Sequence, residues 1–385
     1  MFLQVIQRIA IILVLASFLV TACGQAPASQ PTPEPTPLTV IVSTSIVADV
    51  VRQIGGERVR VETIVPVGAD GHNYEPLPQD LARLNAAQVI FTVGAGYEEF
   101  IERLIASSGT QAEVIALSEG LNLRVLAKEE ASIHSHADEH GDTHADEHGD
   151  THADEHGDTH VDEHGDTHAD EHGDTHADEH GDTHADEHGD THADEHGDTH
   201  ADEHAHGAGA IDGHTWTDPN NVKVWANLIA STLSRIDPAG ADMYTTRAAD
   251  YQRQLDELDR WIAEQVATIP PERRLIVADH IIFGYMADRY GLRQIGAIIP
   301  GVSTSATPSA QELAALQDLI ANYDVKVIFV GDIANQQLAE QIARDTGVKI
   351  VPVLTESLTD ENGPGATYID YMRYNVQQIV AALRG

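Results

Sequence analysis

The sequence predicts an α/β fold with two lobes, each built on a parallel sheet, joined by one long helix. Short β-branched runs alternate with helical segments along both halves of the 385-residue chain. Several of these runs are apolar throughout, which is typical of parallel strands buried on both faces. One helical segment, residues 242–267, is long enough at ~1.5 Å per residue to run across a domain.

The first half of the chain contains four predicted strands, whose β-branched residues favour extended structure. They are residues 38–43, 59–65, 89–93 and 113–117. The predicted helices before residue 270 are residues 46–55, 79–87, 98–107, 221–236 and 242–267. Pro270 and Pro271 stop the last helix, because proline cannot continue the backbone hydrogen bonds.

A second series of alternating elements follows. The predicted strands are residues 275–279, 292–298, 325–331 and 348–354. The predicted helices begin at Phe283, Ser309, Asn335 and Thr367. We expect each lobe to have its own hydrophobic core.

The N-terminus has the features of a bacterial lipoprotein signal. Arg8 provides the positive region. The apolar run Ile9–Val20 is shorter than a typical transmembrane helix. The ending Val-Thr-Ala-Cys resembles a lipobox, so we expect Cys23 to be lipidated and to anchor the protein extracytoplasmically, in the periplasm or on the cell surface. The alternative is a plain signal peptide with an unmodified cysteine. The proline-rich segment that follows cannot form a core and is predicted to be an extended tether.

Charge and cysteine content exclude several functions. The formal net charge is −40, whereas nucleic-acid binding needs a basic surface. A single cysteine excludes an internal disulfide framework, a cysteine-rich zinc site and a CxxC redox motif.

Most of the histidines lie in one acidic insert. Of 23 histidines, 20 fall between His134 and His206, a stretch without Lys or Arg in which HADEHGDT repeats from His136 onward. The insert has no apolar residue large enough to form a core, so we expect a disordered loop. Neutral imidazole binds zinc and similar ions, which indicates a weak metal reservoir. The alternative is a replication-slippage sequence tolerated on the surface.

The three remaining histidines form a sharper pattern. His72, His214 and His280 each lie in a loop, and Glu356 follows a predicted strand as His280 does. Ligands of open parallel sheets bind beyond the carboxyl ends of the strands. Three imidazoles and one carboxylate brought together there would suit four-coordinate zinc. The alternative is that they are ordinary hydrogen-bonded loop residues.

An ordered set of motifs resembles the solute-binding lipoproteins of zinc and manganese ABC importers, the high-affinity zinc uptake family. The matching segments are Gly68–Pro76, the insert 134–206, His214–Pro219, the helix 242–267, His280–Tyr285, Pro308–Leu313, Glu356 and Tyr368–Asn375. The resemblance implies two α/β lobes bridged by a rigid helix, with metal bound in the cleft between them. It also implies a monomer that delivers Zn²⁺, or Mn²⁺, to a cognate ABC permease, and no enzymatic activity.

Carried over from that family, His72, His214 and His280 are the metal ligands. The identity of the fourth ligand stays open between Glu356, Glu75 and a water molecule. The reason is that the family usually has Asp where this chain has Glu356. The two Asp-Gly-His loops replace a common Asp-Pro-His, which predicts lower loop rigidity. Manganese-preferring relatives have Glu in place of His280, so the pattern favours zinc. The aromatic residues Trp216, Tyr74 and Tyr285 are interpreted as packing around the site.

Other functions are weighed against this one. They are a manganese- or iron-preferring member of the family, a surface adhesin or scaffold, and a secreted zinc hydrolase with three histidines and a water. No HExxH helix supports the hydrolase. The predicted organisation is a signal peptide (1–22), a lipidated cysteine and tether (23–37), an N-terminal lobe (38–238) containing the insert (134–206), a linking helix (239–268) and a C-terminal lobe (269–385).

Overall fold

The computed structural model describes residues 36–126, 209–332 and 334–385. The predicted signal peptide, Cys23, nearly all of the tether and the whole histidine-rich insert lie outside these described residues. Within the described ranges, no helix combines the length and apolar character needed to cross a bilayer. The anchor and the insert therefore stay predictions.

Two four-stranded parallel sheets organise the described part of the chain. The first contains β1 (Leu38–Val42), β2 (Val59–Thr63), β3 (Val89–Thr92) and β4 (Glu113–Ala116), in the order β2-β1-β3-β4. The second contains β5 (Leu275–Ala278), β6 (Arg293–Ala297), β7 (Val327–Gly331) and β8 (Lys349–Val353), in the order β6-β5-β7-β8. The parallel pairing confirms the predicted fold class, and both sheets have the same strand order.

This strand order determines where a ligand can bind. In each sheet the chain first adds a strand on one side of its first strand and then crosses to the other side. The neighbours β1 and β3, and likewise β5 and β7, therefore flank a crevice beyond their carboxyl ends. Open parallel sheets bind ligands at such switch points.

Helices cover the sheets. They are α1 (Ser45–Gly55), α2 (Pro78–Ala86), α3 (Ile101–Ser108), α4 (Pro219–Ile236), α5 (Ala241–Val266), α6 (Gly284–Tyr290), α7 (Ala310–Asn322), α8 (Gln336–Thr346) and α9 (Tyr368–Arg384). Several begin at a residue whose side chain accepts a hydrogen bond from the first turn, such as Thr44, Asp218 and Ser309. These caps satisfy backbone N–H groups that lack a partner within the helix.

Helix α3 begins later than predicted. The sequence predicts a helix from Glu98, but the structure starts it at Ile101. Glu98 is buried instead, and its carboxylate accepts hydrogen bonds from the backbone N–H groups of Val93 and Gly94, at 2.8 and 3.0 Å. These bonds hold the loop that follows β3.

Helix α5 is the predicted long helix, displaced by one residue at each end. Its 26 residues span about 39 Å at 1.5 Å per residue. Its buried residues recur every three to four positions, as in Tyr251, Leu255 and Leu258, and the helix packs against α1, α4 and α9. It therefore contacts helices that flank both sheets.

The two sheets share much of their core. Phe91 of β3, Leu255 of α5 and Phe329 of β7 belong to one continuous buried cluster. The neighbouring residues on the opposite faces, Ile90 and Ile328, belong to separate clusters. The expectation of two separate cores is therefore met only on the outer faces, and both sheets lie in one compact unit. Large movements of one lobe against the other would expose apolar surface, which is unfavourable in water.

Candidate metal centre

Four buried residues from four loops converge between the two sheets. His72 follows β2, His214 precedes a short helical turn at Thr215–Thr217, His280 follows β5, and Glu356 follows β8. Each offers one ligand atom, and these atoms all lie within 4.8 Å of one another. The structure thus brings together the three histidines and Glu356 that the sequence singled out.

The three imidazoles turn the same ring nitrogen toward a common centre. The Nε2 atom of His214 lies 3.1 Å from that of His72 and 3.3 Å from that of His280. A tetrahedral ion ~2.0–2.1 Å from each nitrogen would place the nitrogens about 3.3 Å apart. The spacing therefore fits a small divalent cation.

The Glu356 carboxylate completes the cluster, with its Oε2 atom 3.9 Å from Nε2 of His72. Its Oε1 atom lies 2.8 Å from Nε2 of His280 and 3.7 Å from Nε2 of His214. This oxygen is buried and has no aligned hydrogen-bond donor. A buried carboxylate oxygen needs a positive partner in a protein interior, which is the His280 ring before metal binds and would be the cation afterwards.

Neighbouring aspartates orient two of the rings. The Nδ1 atom of His214 lies 2.8 Å from Asp212 Oδ1, and Nδ1 of His280 lies 3.1 Å from Asp279 Oδ1. The other oxygen of Asp279 accepts a hydrogen bond from the backbone of Gly331. An aspartate on Nδ1 fixes the ring and leaves Nε2 free for a metal, as is usual for metal-binding histidines.

The His72 loop is held by a third aspartate. Asp70 Oδ1 accepts a hydrogen bond from the His72 backbone N–H at 2.8 Å. Its Oδ2 atom accepts from Asn73 and from Thr304, and Thr304 lies in the second half of the chain. Asp70 therefore links the His72 loop to the loop after β6.

A cavity of about 280 Å³ adjoins the cluster. Its lining includes Asp70, Thr304, His280 and Glu356. It therefore borders the cluster on the side of His280 and Glu356.

Burial and neighbouring charges shift the pKa values of the cluster residues in different directions. Burial lowers the pKa of His72 to about 4. Burial acts in the same direction on His280, but the Asp279 and Glu356 carboxylates outweigh it and raise the pKa of His280 to about 10. Burial alone would raise the pKa of Glu356, but the adjacent imidazoles hold it well below its usual range. Before metal binds at neutral pH, His280 is therefore an imidazolium beside an ionised carboxylate.

Glu75 lies apart from the cluster. It is exposed, and the metal-binding group found among the described residues does not include it. Of the two carboxylates considered as the fourth ligand, only Glu356 is in place.

The three predicted packing residues have different positions. Trp216 is fully buried with its ring centre 5.2 Å from that of His214. The Tyr285 hydroxyl donates to the carbonyl of Asp212 and so supports the His214 loop. Tyr74 packs against Phe100 instead, with ring centres 5.4 Å apart.

The sequence interpretation missed Tyr97. Its ring centre lies 4.5 Å from that of His72, and its hydroxyl donates a hydrogen bond to Glu356 Oε2. Burial and the Glu356 carboxylate raise the pKa of Tyr97 well above its usual value, so the hydroxyl keeps its proton. The orienting aspartates were also missed, although an aspartate one or two positions before each histidine was a visible signal.

Comparison with known proteins places this chain in a wider group. The model of the family described as "Zinc-uptake complex component A periplasmic" matches residues 40–382. The manganese-binding lipoprotein MntA of Halalkalibacterium halodurans is 25% identical, with 90% of this chain and 88% of that protein aligned. The manganese ABC transporter substrate-binding lipoprotein PsaA of Streptococcus pneumoniae is 22% identical over 97% of both chains.

Solved structures share the fold. The periplasmic zinc-binding protein TroA of Treponema pallidum superposes with a TM-score of 0.65 at 21% identity, covering 90% of this chain and 99% of that one. A crystal structure of ZnuA gives a TM-score of 0.63 at 21% identity, with the same coverage.

Proposed function

Since the chain belongs to the zinc-uptake complex component A (ZnuA) family, we propose that it is the solute-binding component of a metal ABC importer that captures Zn²⁺ and delivers it to the permease. One observation carries the proposal. Three imidazole Nε2 atoms and one buried Glu356 oxygen converge within 4.8 Å.

The choice of zinc rests on the ligand atoms. Zinc binds imidazole nitrogen well, whereas manganese favours carboxylate, carbonyl and water oxygens. The cluster offers three nitrogens and one oxygen of Glu356. Several aligned relatives are named for manganese, so manganese is the competing cargo that the experiment must include.

The burial of the cluster supports binding rather than catalysis. The side chains of His72, His214, His280 and Glu356 are at most 4% exposed. A catalytic zinc keeps one coordination position open for water or substrate. Four protein ligands leave no such position, so we assign the protein a carrier function and no reaction.

Delivery requires a conformation that the permease can recognise. We infer only a modest narrowing of the cleft on metal binding, because the two sheets share the core around Phe91 and Phe329. The hydrogen bond from Thr304 to Asp70 joins the His72 loop to the loop after β6, so we expect these two loops to move together. A ligand shifts such an equilibrium only through its different affinity for the two states.

Two further assignments lie outside the described residues. Cys23 is proposed as the lipid anchor that keeps the protein at a bacterial membrane, and a Cys23→Ser variant that still sediments with washed membranes would contradict this. The insert 134–206 is proposed as a weak zinc reservoir. We also propose residues 38–238 and 269–385 as the two lobes, joined by 239–268.

The function is tested by competitive titration of zinc and manganese against chelators of known affinity. The wild-type protein should bind one zinc ion tightly and prefer it to manganese. Replacing His72, His214 or His280 by Ala should weaken zinc at least about tenfold, because water replaces an imidazole nitrogen poorly. Undiminished affinity in all three variants would show that the tight site lies elsewhere.

A further inference from the structure

We propose that Tyr97 is a positioning residue that leaves Glu356 only one oxygen for metal, and that it thereby favours a four-coordinate ion over one that needs more oxygen ligands. The inference rests on the proposed function and adds a determinant of selectivity to it.

The first step concerns the two oxygens of the Glu356 carboxylate, which have different partners. Oε2 accepts the hydrogen bond of the Tyr97 hydroxyl and lies 3.9 Å from His72 Nε2, whereas Oε1 faces His280 and His214, 2.8 and 3.7 Å from their Nε2 atoms. Both side chains are buried, Tyr97 at 1% exposure. Water therefore does not compete for the hydroxyl, and a hydrogen bond to a carboxylate is stronger than one between neutral groups.

The second step is the fit of Tyr97 against the histidine loops. A Cβ atom added to Gly71 would lie 2.3 Å from the Tyr97 hydroxyl oxygen, and one added to Gly213 would lie 2.9 Å from Tyr97 Cβ. Real Cβ atoms essentially never approach other atoms that closely. The glycines directly before His72 and His214 therefore make the space that Tyr97 occupies.

The third step is the loop that carries Tyr97. Gly94, Ala95 and Gly96 all have positive φ, at 78°, 55° and 77°. This conformation is disfavoured for alanine. The Glu98 carboxylate closes the loop by accepting from Val93 and Gly94. The loop is thus fixed on both sides of Tyr97, so its hydroxyl has a defined position.

The consequence concerns the number of ligand atoms. A carboxylate with both oxygens free can bind a metal through either one or both of them. With Oε2 held by Tyr97, the described site offers three nitrogens and one oxygen, the set that suits tetrahedral zinc. Manganese prefers more oxygen ligands in a larger coordination shell. Releasing Oε2 should therefore help manganese and disturb zinc.

Tyr97→Phe in the full chain tests this inference, because it removes the hydroxyl and keeps the ring. Competitive titration should show the zinc-to-manganese affinity ratio falling about tenfold, the size expected for one hydrogen bond to a charged group. Co²⁺ substituted for zinc gives a second readout. Its strong visible absorption, typical of four-coordinate cobalt, should weaken in the variant as a fifth ligand atom binds.

Two further variants make the result specific. Tyr244→Phe is the matched control, since its hydroxyl also donates to a carboxylate, that of Asp237, outside the metal cluster. It should leave both the affinity ratio and the cobalt spectrum unchanged. Gly71→Ala should also lower the affinity ratio, because a methyl group 2.3 Å from the Tyr97 hydroxyl oxygen and 2.7 Å from two ring carbons leaves no room for the hydroxyl at its present position.

The outcomes separate this inference from the proposed function. If wild-type protein binds zinc through the histidines but Tyr97→Phe keeps the same affinity ratio and the same cobalt spectrum, only the role of Tyr97 is overturned. If wild-type protein has no histidine-dependent zinc site, the proposed function itself fails. A lower affinity ratio with an unchanged cobalt spectrum would also contradict the inference, because Tyr97 would then act without changing coordination.

Discussion

The Nε2 atoms of His72 and His214 lie 3.1 Å apart, although the two residues are separated by 142 positions in the chain. The intervening sequence contains β3, β4 and the whole histidine-rich insert. β2 carries the His72 loop at the edge of its sheet, and an antiparallel bridge between Val125 and Ile211 holds the segment that leads to His214. The metal site is thus a product of the topology and not of local sequence.

The fourth ligand is tested by two carboxylate variants. Glu356→Gln should lower zinc affinity at least about tenfold, because it replaces a charged oxygen in the cluster by a neutral amide. Glu75→Gln is the matched control and should have no effect, since Glu75 is exposed and outside the cluster. Competitive zinc titration of both variants measures this. Equal affinities in the two variants would indicate that water, and not Glu356, completes the site.

The preference for zinc over manganese should depend on the residue at position 280. His280→Glu replaces a nitrogen ligand by a harder oxygen and adds negative charge to the cluster. Zinc affinity should therefore fall relative to manganese affinity, in the direction opposite to the wild-type preference. Titration with both ions is the measurement, and circular dichroism checks that the fold is kept. An unchanged preference would mean that His280 does not bind the metal.

Zinc binding should release about one proton at neutral pH. The carboxylates of Asp279 and Glu356 raise the pKa of His280 to about 10, whereas burial lowers the pKa of His72 to about 4. At pH 7 only the first of these two rings is protonated before metal binds, and its proton must leave before Nε2 can bind zinc. Apparent affinity should thus fall about tenfold per pH unit as the pH drops from roughly 9 to 5.

Calorimetry in buffers of different ionisation enthalpy measures that proton. An unperturbed histidine titrates near pH 6.5, so the measurement belongs at pH 7.5 or above, with zinc buffered by a chelator that outcompetes weak sites. The His280→Ala variant should release no such proton. Proton release that persists in this variant would contradict the assignment of the high pKa to His280.

Deleting the histidine-rich insert should lower the zinc stoichiometry from several ions to about one. The two ends of the undescribed stretch meet in the structure, since Leu126 N–H donates to Ala210 and Gly209 N–H donates to Leu126. A short glycine-serine loop can therefore replace residues 127–208 without straining the lobe. Equilibrium dialysis with metal analysis gives the number of bound ions, and the full chain near pH 5 should show a similar decrease. An unchanged stoichiometry after deletion would contradict the reservoir proposal.

The sequence predicts the framework well because its signals are local. The β-branched runs mark all eight strands of the described residues, and the helical stripe of α5 is displaced by only one residue at each end. His72, His214 and His280 could be identified because few histidines lie outside the insert and each of these lies in a loop. Their common side of the sheet then follows from the parallel topology.

Other features depend on packing that the sequence does not show. The segment that carries Tyr97 has the pattern of a helix start. Glu98 instead stays in the loop, because its carboxylate accepts hydrogen bonds from two backbone N–H groups. Glu75 lies three positions from His72 and is exposed, whereas Glu356 reaches the site from the far end of the chain. The core shared by Phe91 and Phe329 likewise joins residues far apart in sequence. Such long-range contacts leave no periodic pattern.

The central claim is that one ion binds between His72, His214, His280 and Glu356. The most direct test is a crystal structure of the zinc-loaded protein with anomalous data collected on both sides of the zinc absorption edge. The account predicts one strong peak about 2.0–2.2 Å from the three Nε2 atoms and from Glu356 Oε1. A strong zinc peak elsewhere in the ordered part of the chain, with none at this cluster, would contradict it.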